Sequence, residues 1–167
     1  MKLLVVRFSA LGDVAMTVPV IDSLAKQYPD LSITMLSKGF VAPLFAHMPQ
    51  NVHFKGVNLN DYKGLGGLYR LFKDLKQEQF DAIADIHDVL RTKVLRCFFS
   101  LARVKTAHID KGRNEKKALC RDKDKRLVQL KTSFQRYADV FQSLGFPVKM
   151  QFQSIFENKK GVIRHSK

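Results

Sequence analysis

The sequence predicts an α/β domain built on a doubly wound parallel sheet. Short apolar runs recur along the chain, continuous rather than alternating, as strands buried on both faces require. Between them lie stretches whose apolar residues repeat at three and four, the period of a helix with one buried face. Strands and helices then alternate, which is the pattern of right-handed βαβ units. A length of 167 residues suits one such domain with its own core.

Residues 2–8 read as the first strand, a buried Leu-Leu-Val-Val run ending at Arg7 and Phe8. Residues 14–27 read as a helix: Val14, Val18, Ile21, Leu24, Ala25 and Tyr28 share one face, with Asp13 as its expected N-cap. Pro19 is expected to kink the second turn, and Pro29 stops the helix by forcing Tyr28 out of the α region. Residues 31–37 form a second strand, 41–47 a short helix, and 52–57 a third, weaker strand. Residues 58–66 read as a loop, with Gly64, Gly66 and Gly67 as a flexible cluster. Leu68, Leu71, Phe72 and Leu75 mark the next amphipathic helix, 80–86 a fourth strand, 89–102 a helix, and 104–109 a fifth strand. Residues 110–126, with eight Lys/Arg among seventeen, read as a loop. A last helix spans 130–144, with Gly145 as its stop. The Rossmann-like domain is expected over 1–146. Residues 147–167 read as a linker, or as the start of a second domain beyond the sequence.

The formal net charge is +14, and residues 61–167 carry +12 of it, so an anionic partner is expected. Cys97 and Cys120 lack metal-ligand spacing and read as reduced thiols. The opening apolar run is too short for a signal peptide, and no stretch approaches the roughly 20 apolar residues of a membrane span. The expected location is the cytoplasm, with at most a peripheral membrane contact. Helix 89–102 offers Phe98 and Phe99 between cations, readable as core packing or as a membrane-surface face.

Three groups of residues could carry chemistry. Asp13 follows Ser9 and Gly12 at the carboxyl edge of the first strand, where open α/β sheets keep their ligands. A carboxylate there can act as a general base on a docked hydroxyl, or merely cap a helix. Gly12 permits close backbone approach, and Ser9 offers a hydroxyl. The Gly-x-Gly-x-x-Gly pattern of dinucleotide binding is absent. The second group is Asp85, His87, Asp88, Arg91 and Lys93 after the fourth strand, able to hold an anionic group at the same edge. A metal site built from its acids and histidine is disfavoured by the neighbouring cations. The third is the basic loop, including Lys111 and Arg113. It has no Phe, Tyr or Trp for base stacking, so nucleic acid is not an expected partner.

The segment from Arg7 to Val14, with Pro19 six residues beyond the acid, resembles the opening of the ADP-heptose:lipopolysaccharide heptosyltransferases, glycosyltransferase family 9. Asp85 to Thr92 is similar to that family's segment after its fourth strand, and Arg136-Tyr137 with Leu144-Gly145 to its helix closing the first domain. The resemblance implies the N-terminal, acceptor-side half of a GT-B architecture and an inverting transfer of heptose from ADP-heptose, with no metal or other cofactor. It implies Asp13 as the base. Ser9, Gly12, His87, Arg91, Lys93, Lys111 and Arg113 are the expected contacts to an anionic lipopolysaccharide inner-core acceptor. Family members are roughly twice this length, the second half holding the donor, so this chain alone is expected to be poorly active. Two other readings remain open: a non-catalytic module for anionic glycolipid or a membrane surface, and a nucleic-acid-binding α/β domain.

Overall fold

The structure, a computed structural model, describes residues 1–112 and 130–154. Five strands form one parallel sheet: β1 (Lys2–Val6), β2 (Ser32–Lys38), β3 (Val52–Val57), β4 (Ala82–Asp85) and β5 (Lys105–His108). Their spatial order is β3-β2-β1-β4-β5. The chain winds outward from β1 to β3, then returns to continue on β1's other side with β4 and β5. The switch point therefore lies between β1 and β4, where a crevice opens beyond the carboxyl ends of the strands.

Among the described residues five α-helices accompany the sheet: α1 (Leu11–Ala15), α2 (Val18–Gln27), α3 (Gly64–Lys76), α4 (Leu90–Leu101) and α5 (Ser133–Ser143), with a 3-10 helix at Gly39–Phe45. β1 shows why its sequence run is continuous. Leu3 and Val5 enter a core shared with Ile21, Leu24 and Phe141, while Leu4 and Val6 enter another with Leu71, Leu75 and Phe99. Asn51 fastens the end of α2 by donating from its amide to the carbonyls of Ala25, Tyr28 and Leu31 at 3.0–3.1 Å. The Ala25 carbonyl is one of those that a helix C-terminus leaves without an intrahelical partner, and the other two belong to the turn that follows. Gly145 follows α5 at φ 102°, as a left-handed helix stop requires.

Five local expectations are corrected. The helix expected over 14–27 is two helices, separated at Thr17, whose hydroxyl donates to the Val14 carbonyl at 2.7 Å. Pro19 consequently sits in the first turn of α2, where a missing N–H breaks no helical bond, and it kinks nothing. Asp13 is not the N-cap. Ala10 holds that position, and Asp13 lies three residues on, accepting from the Ala10 N–H at 3.4 Å. The Gly64–Gly67 cluster is the opening turn of α3 rather than a loop. A Cβ at Gly67 would stand 2.3 Å from the Tyr62 carbonyl carbon, so that turn needs a glycine to seat against the preceding chain. The helix expected over 41–47 is the 3-10 turn, displaced two residues toward the N-terminus.

Residues 147–152 lie along α2. Tyr28 donates to the Pro147 carbonyl at 3.1 Å, the Lys149 N–H donates to Gln27 at 3.0 Å, and the Gln151 N–H donates to Ser23 Oγ at 3.0 Å. Val148 and Phe152 pack against the first core.

Candidate functional site

The site forms where the chain leaves β1 and β4. Arg7 extends the sheet by one rung, its N–H donating to the Leu36 carbonyl at 3.1 Å, and so its side chain begins inside the protein. That side chain is 9% exposed. A buried guanidinium needs partners, and it finds them on two sides. Nη1 donates to the Ile86 carbonyl at 2.5 Å, and Nη2 meets Asp13 Oδ2 at 2.6 Å. The guanidinium carbon lies 5.6 Å from the ring centre of Tyr137, within cation–π range. Tyr137 donates to the backbone carbonyl of Asp13 at 3.5 Å. Burial and the Asp13 charge push its phenol up, only partly offset by Arg7, so the hydroxyl stays protonated.

Both contacts to the Asp13 carboxylate, from Arg7 and from the Ala10 N–H, fall on Oδ2. Oδ1 has no partner among the described residues. Asp13 is half-buried and lines a cavity of about 390 Å³ together with Ser9, His87, Lys111, Lys131 and Arg136. Arg7 and Tyr137 lie in the same wall. One carboxylate thus shares the wall with four cations, so the cavity carries a net positive charge that favours an anionic ligand.

His87 forms the ridge of this cavity. It is buried, and its Nδ1 accepts from the Phe8 N–H at 3.5 Å while Nε2 lies 3.1 Å from Ser9 Oγ. Burial, and then the Arg7 cation, lower its pKa to about 4, so the ring is neutral at pH 7. With Nδ1 accepting, the ring proton sits on Nε2 and donates to Ser9. The Ser9 hydroxyl, in the cavity wall, then keeps its own proton for another acceptor.

Asp85 shapes the turn beneath. Its Oδ1 accepts from the N–H groups of His87 and Asp88 at 3.1 and 2.8 Å, and Oδ2 pairs with Arg96 at 3.0 Å. Asp88 adopts φ 48°, the left-handed conformation that turns the chain into α4. Its carbonyl accepts from Lys111 at 3.0 Å, and its carboxylate lies 3.6 Å from Lys93. No group of three or more His, Cys, Asp or Glu able to hold a metal gathers among the described residues.

The structure therefore unites Asp13, Ser9, His87 and Lys111 around one cavity. Arg91 lines two neighbouring cavities instead. Lys93 points along α4 toward Asp88, and Gly12 is an exposed residue of α1 with open space about it. Arg113 and the rest of the basic stretch to Arg126 lie outside the described residues. Arg7, Tyr137, Lys131 and Arg136 were not among the expected contacts. The signal for Arg7 was a single cation closing a buried strand, six residues before a single acid.

No protein-family model matches the chain, and no curated protein does. Solved structures do. E. coli heptosyltransferase WaaC with ADP superposes with a TM-score of 0.61 at 16% identity, covering 93% of this chain and 50% of that one. A family 9 glycosyltransferase from Veillonella parvula gives 0.61 at 16%, covering 92% and 46%. E. coli ADP-heptose lipopolysaccharide heptosyltransferase II gives 0.58 at 19%, covering 84% and 40%. The chain spans about half the length of these structures. At such identities the likeness speaks for the fold. The fold is a Rossmann-like α/β domain with a parallel five-stranded sheet, similar to about half of each of these GT-B glycosyltransferase structures.

Proposed function

We propose that this chain is the acceptor-side half of a heptosyltransferase, acting on the lipopolysaccharide inner core with ADP-heptose as donor. The observation that carries the reading is Asp13: Oδ2 is fixed by Arg7 and the Ala10 N–H, and Oδ1 is open to a cation-lined cavity at the switch point. An acceptor hydroxyl docked there gives its proton to Oδ1 as its oxygen attacks the anomeric carbon. The bond from that carbon to the diphosphate breaks, ADP leaves, and the configuration inverts. Arg7 keeps the carboxylate oriented, and Ser9 donates to the acceptor. Lys111, Lys131 and Arg136 face the acceptor's acid groups. The leaving diphosphate is met by groups from outside this domain, as the roughly doubled length of the similar structures allows. The reaction uses no metal on this side, and the work is done on the cytoplasmic face of the inner membrane.

The test is a transfer assay with ADP-heptose and a heptose-free inner core, using the chain joined to the donor half of a family 9 enzyme. One heptose should be added, with NMR giving the anomeric configuration opposite to the donor's. Retention of configuration, or donor hydrolysis without transfer, contradicts the assignment. The chain alone is expected to bind the acceptor with little turnover.

A further inference from the structure

Beyond the ridge made by Ser9 and His87 lies a second cavity, of about 640 Å³. Its character is opposite to that of the Asp13 cavity. Phe8, Leu59, Leu65, Leu68, Leu90 and Val94 supply most of its wall, and no carboxylate does. Leu65 and Leu90 are 69% and 80% exposed, on the first turns of α3 and α4. Two leucines this open in the wall of one concave surface form an apolar patch of the kind that marks interaction sites. The volume is in the range of about 300–1,000 Å³ occupied by small-molecule sites.

Two cations stand at its outer end. Lys38 and Arg91 each line both this groove and an adjoining polar cavity of about 570 Å³, which again has no acid in its wall. Neither side chain has a hydrogen-bond or ion-pair partner among the described residues. Elsewhere on the edge cations are tied down: Arg7 to Asp13, Arg96 to Asp85, Lys93 to Asp88. An apolar trough ending in two unengaged cations is complementary to a molecule with a hydrocarbon portion and an acidic head.

We propose that this groove is a binding site for a single acidic amphiphile, its chain between Leu65 and Leu90 and its phosphate or carboxylate between Lys38 and Arg91. The site does not rest on Asp13 being a base, and it needs no second domain.

Alkyl phosphates below their micelle concentration, titrated into the full chain by calorimetry, test it. Decyl phosphate should bind, and each methylene removed down to hexyl should weaken binding by up to about fourfold. Decyl maltoside, with the same chain and a neutral head, should bind at least tenfold more weakly. Inorganic phosphate should bind at least a hundredfold more weakly. Lys38→Gln with Arg91→Gln, and separately Leu65→Gln with Leu90→Gln, should each cost tenfold or more. Leu65 and Leu90 are exposed, and Lys38 and Arg91 are half-buried with no partner to lose among the described residues, so both variants should fold, which circular dichroism checks. Equal affinity for decyl phosphate and decyl maltoside overturns the proposal, as does unchanged binding in either double variant. Capture by anionic vesicles with no binding of monomeric alkyl phosphate makes the groove a membrane-facing surface and overturns it too. Because no sugar is transferred in this assay, failure here leaves the Asp13 reading standing, and an inactive transferase leaves the groove standing.

Discussion

Two cavities share the Ser9–His87 ridge and differ in how their polar groups are held. On the Asp13 side most polar groups are committed: Arg7 donates to a carbonyl and a carboxylate, His87 is bonded to a backbone N–H and a hydroxyl, and Tyr137 donates to a carbonyl. Among the described residues Arg7 Nε is left without a partner inside the wall, while Asp13 Oδ1 and the Ser9 hydroxyl proton are left at the cavity. On the Leu90 side the walls are side chains without directional bonds, and the cations at the end are unengaged. The contrast separates a place built for one geometry from a place built for bulk. Precise chemistry needs positions fixed before the ligand arrives. Burial of hydrocarbon is non-directional and needs only fit.

That difference can be broken first at the histidine, where the largest effect on stability is expected. The folded-state pKa of about 4 lies below the ordinary 6.5. The unfolded chain therefore takes up the proton first as pH falls. The stability is whole above about pH 6.5 and is lost progressively down to about pH 4, on the order of 3 kcal/mol. Urea unfolding of the protein and of His87→Gln across this window should show the limb only in the former. Parallel curves would mean that His87 is not buried neutral.

Arg7→Leu removes the partner of the Ile86 carbonyl and lets Asp13 swing. A loss of about 2 kcal/mol in urea unfolding is expected from the orphaned acceptor. In the joined enzyme turnover should fall with little change in acceptor affinity. An unchanged kcat would remove Arg7 from the positioning role.

Gly112 sharpens the comparison more gently. At φ 59° it has a Cβ position 2.3 Å from the Arg136 guanidinium, which donates to the Asp110 carbonyl at 3.0 Å. Gly112→Ala should cost about 1 kcal/mol or more through backbone strain and displacement of Arg136. It should weaken acceptor binding on the Asp13 side and leave the groove unaffected. Smallest of all, Leu90→Gln should change stability by no more than about 0.5 kcal/mol in thermal unfolding, since the side chain is already exposed. A larger loss would mean that Leu90 serves the core.

The sequence made the sheet legible because strands buried on both faces and amphipathic helices have different periods, and β1 and α3 show each plainly. Asp13 was legible as the one acid after the first strand. The break at Thr17 was missed because a 3.6-residue pattern runs on through two short helices in line. The helical role of Gly67 was missed because a glycine cluster signals a loop in sequence, while its need for close approach to Tyr62 exists only in three dimensions. Tyr137 was legible only as part of the last helix, and its hydroxyl reaches the Asp13 carbonyl across 124 positions of sequence. Lys38 gave no sequence signal, because its significance comes from Arg91, on a separate element across the groove.

The central claim is that Asp13 accepts a proton rather than merely stabilising α1. Asp13→Asn in the joined enzyme tests it most directly, with kcat and acceptor affinity measured on the same preparation. The side chain keeps its shape and can still accept from Arg7 and Ala10. The account predicts a fall in kcat of about 10²- to 10⁴-fold with acceptor affinity within a few-fold of the parent. Turnover near the parental rate would contradict it and leave Asp13 as a structural residue at the mouth of the cavity.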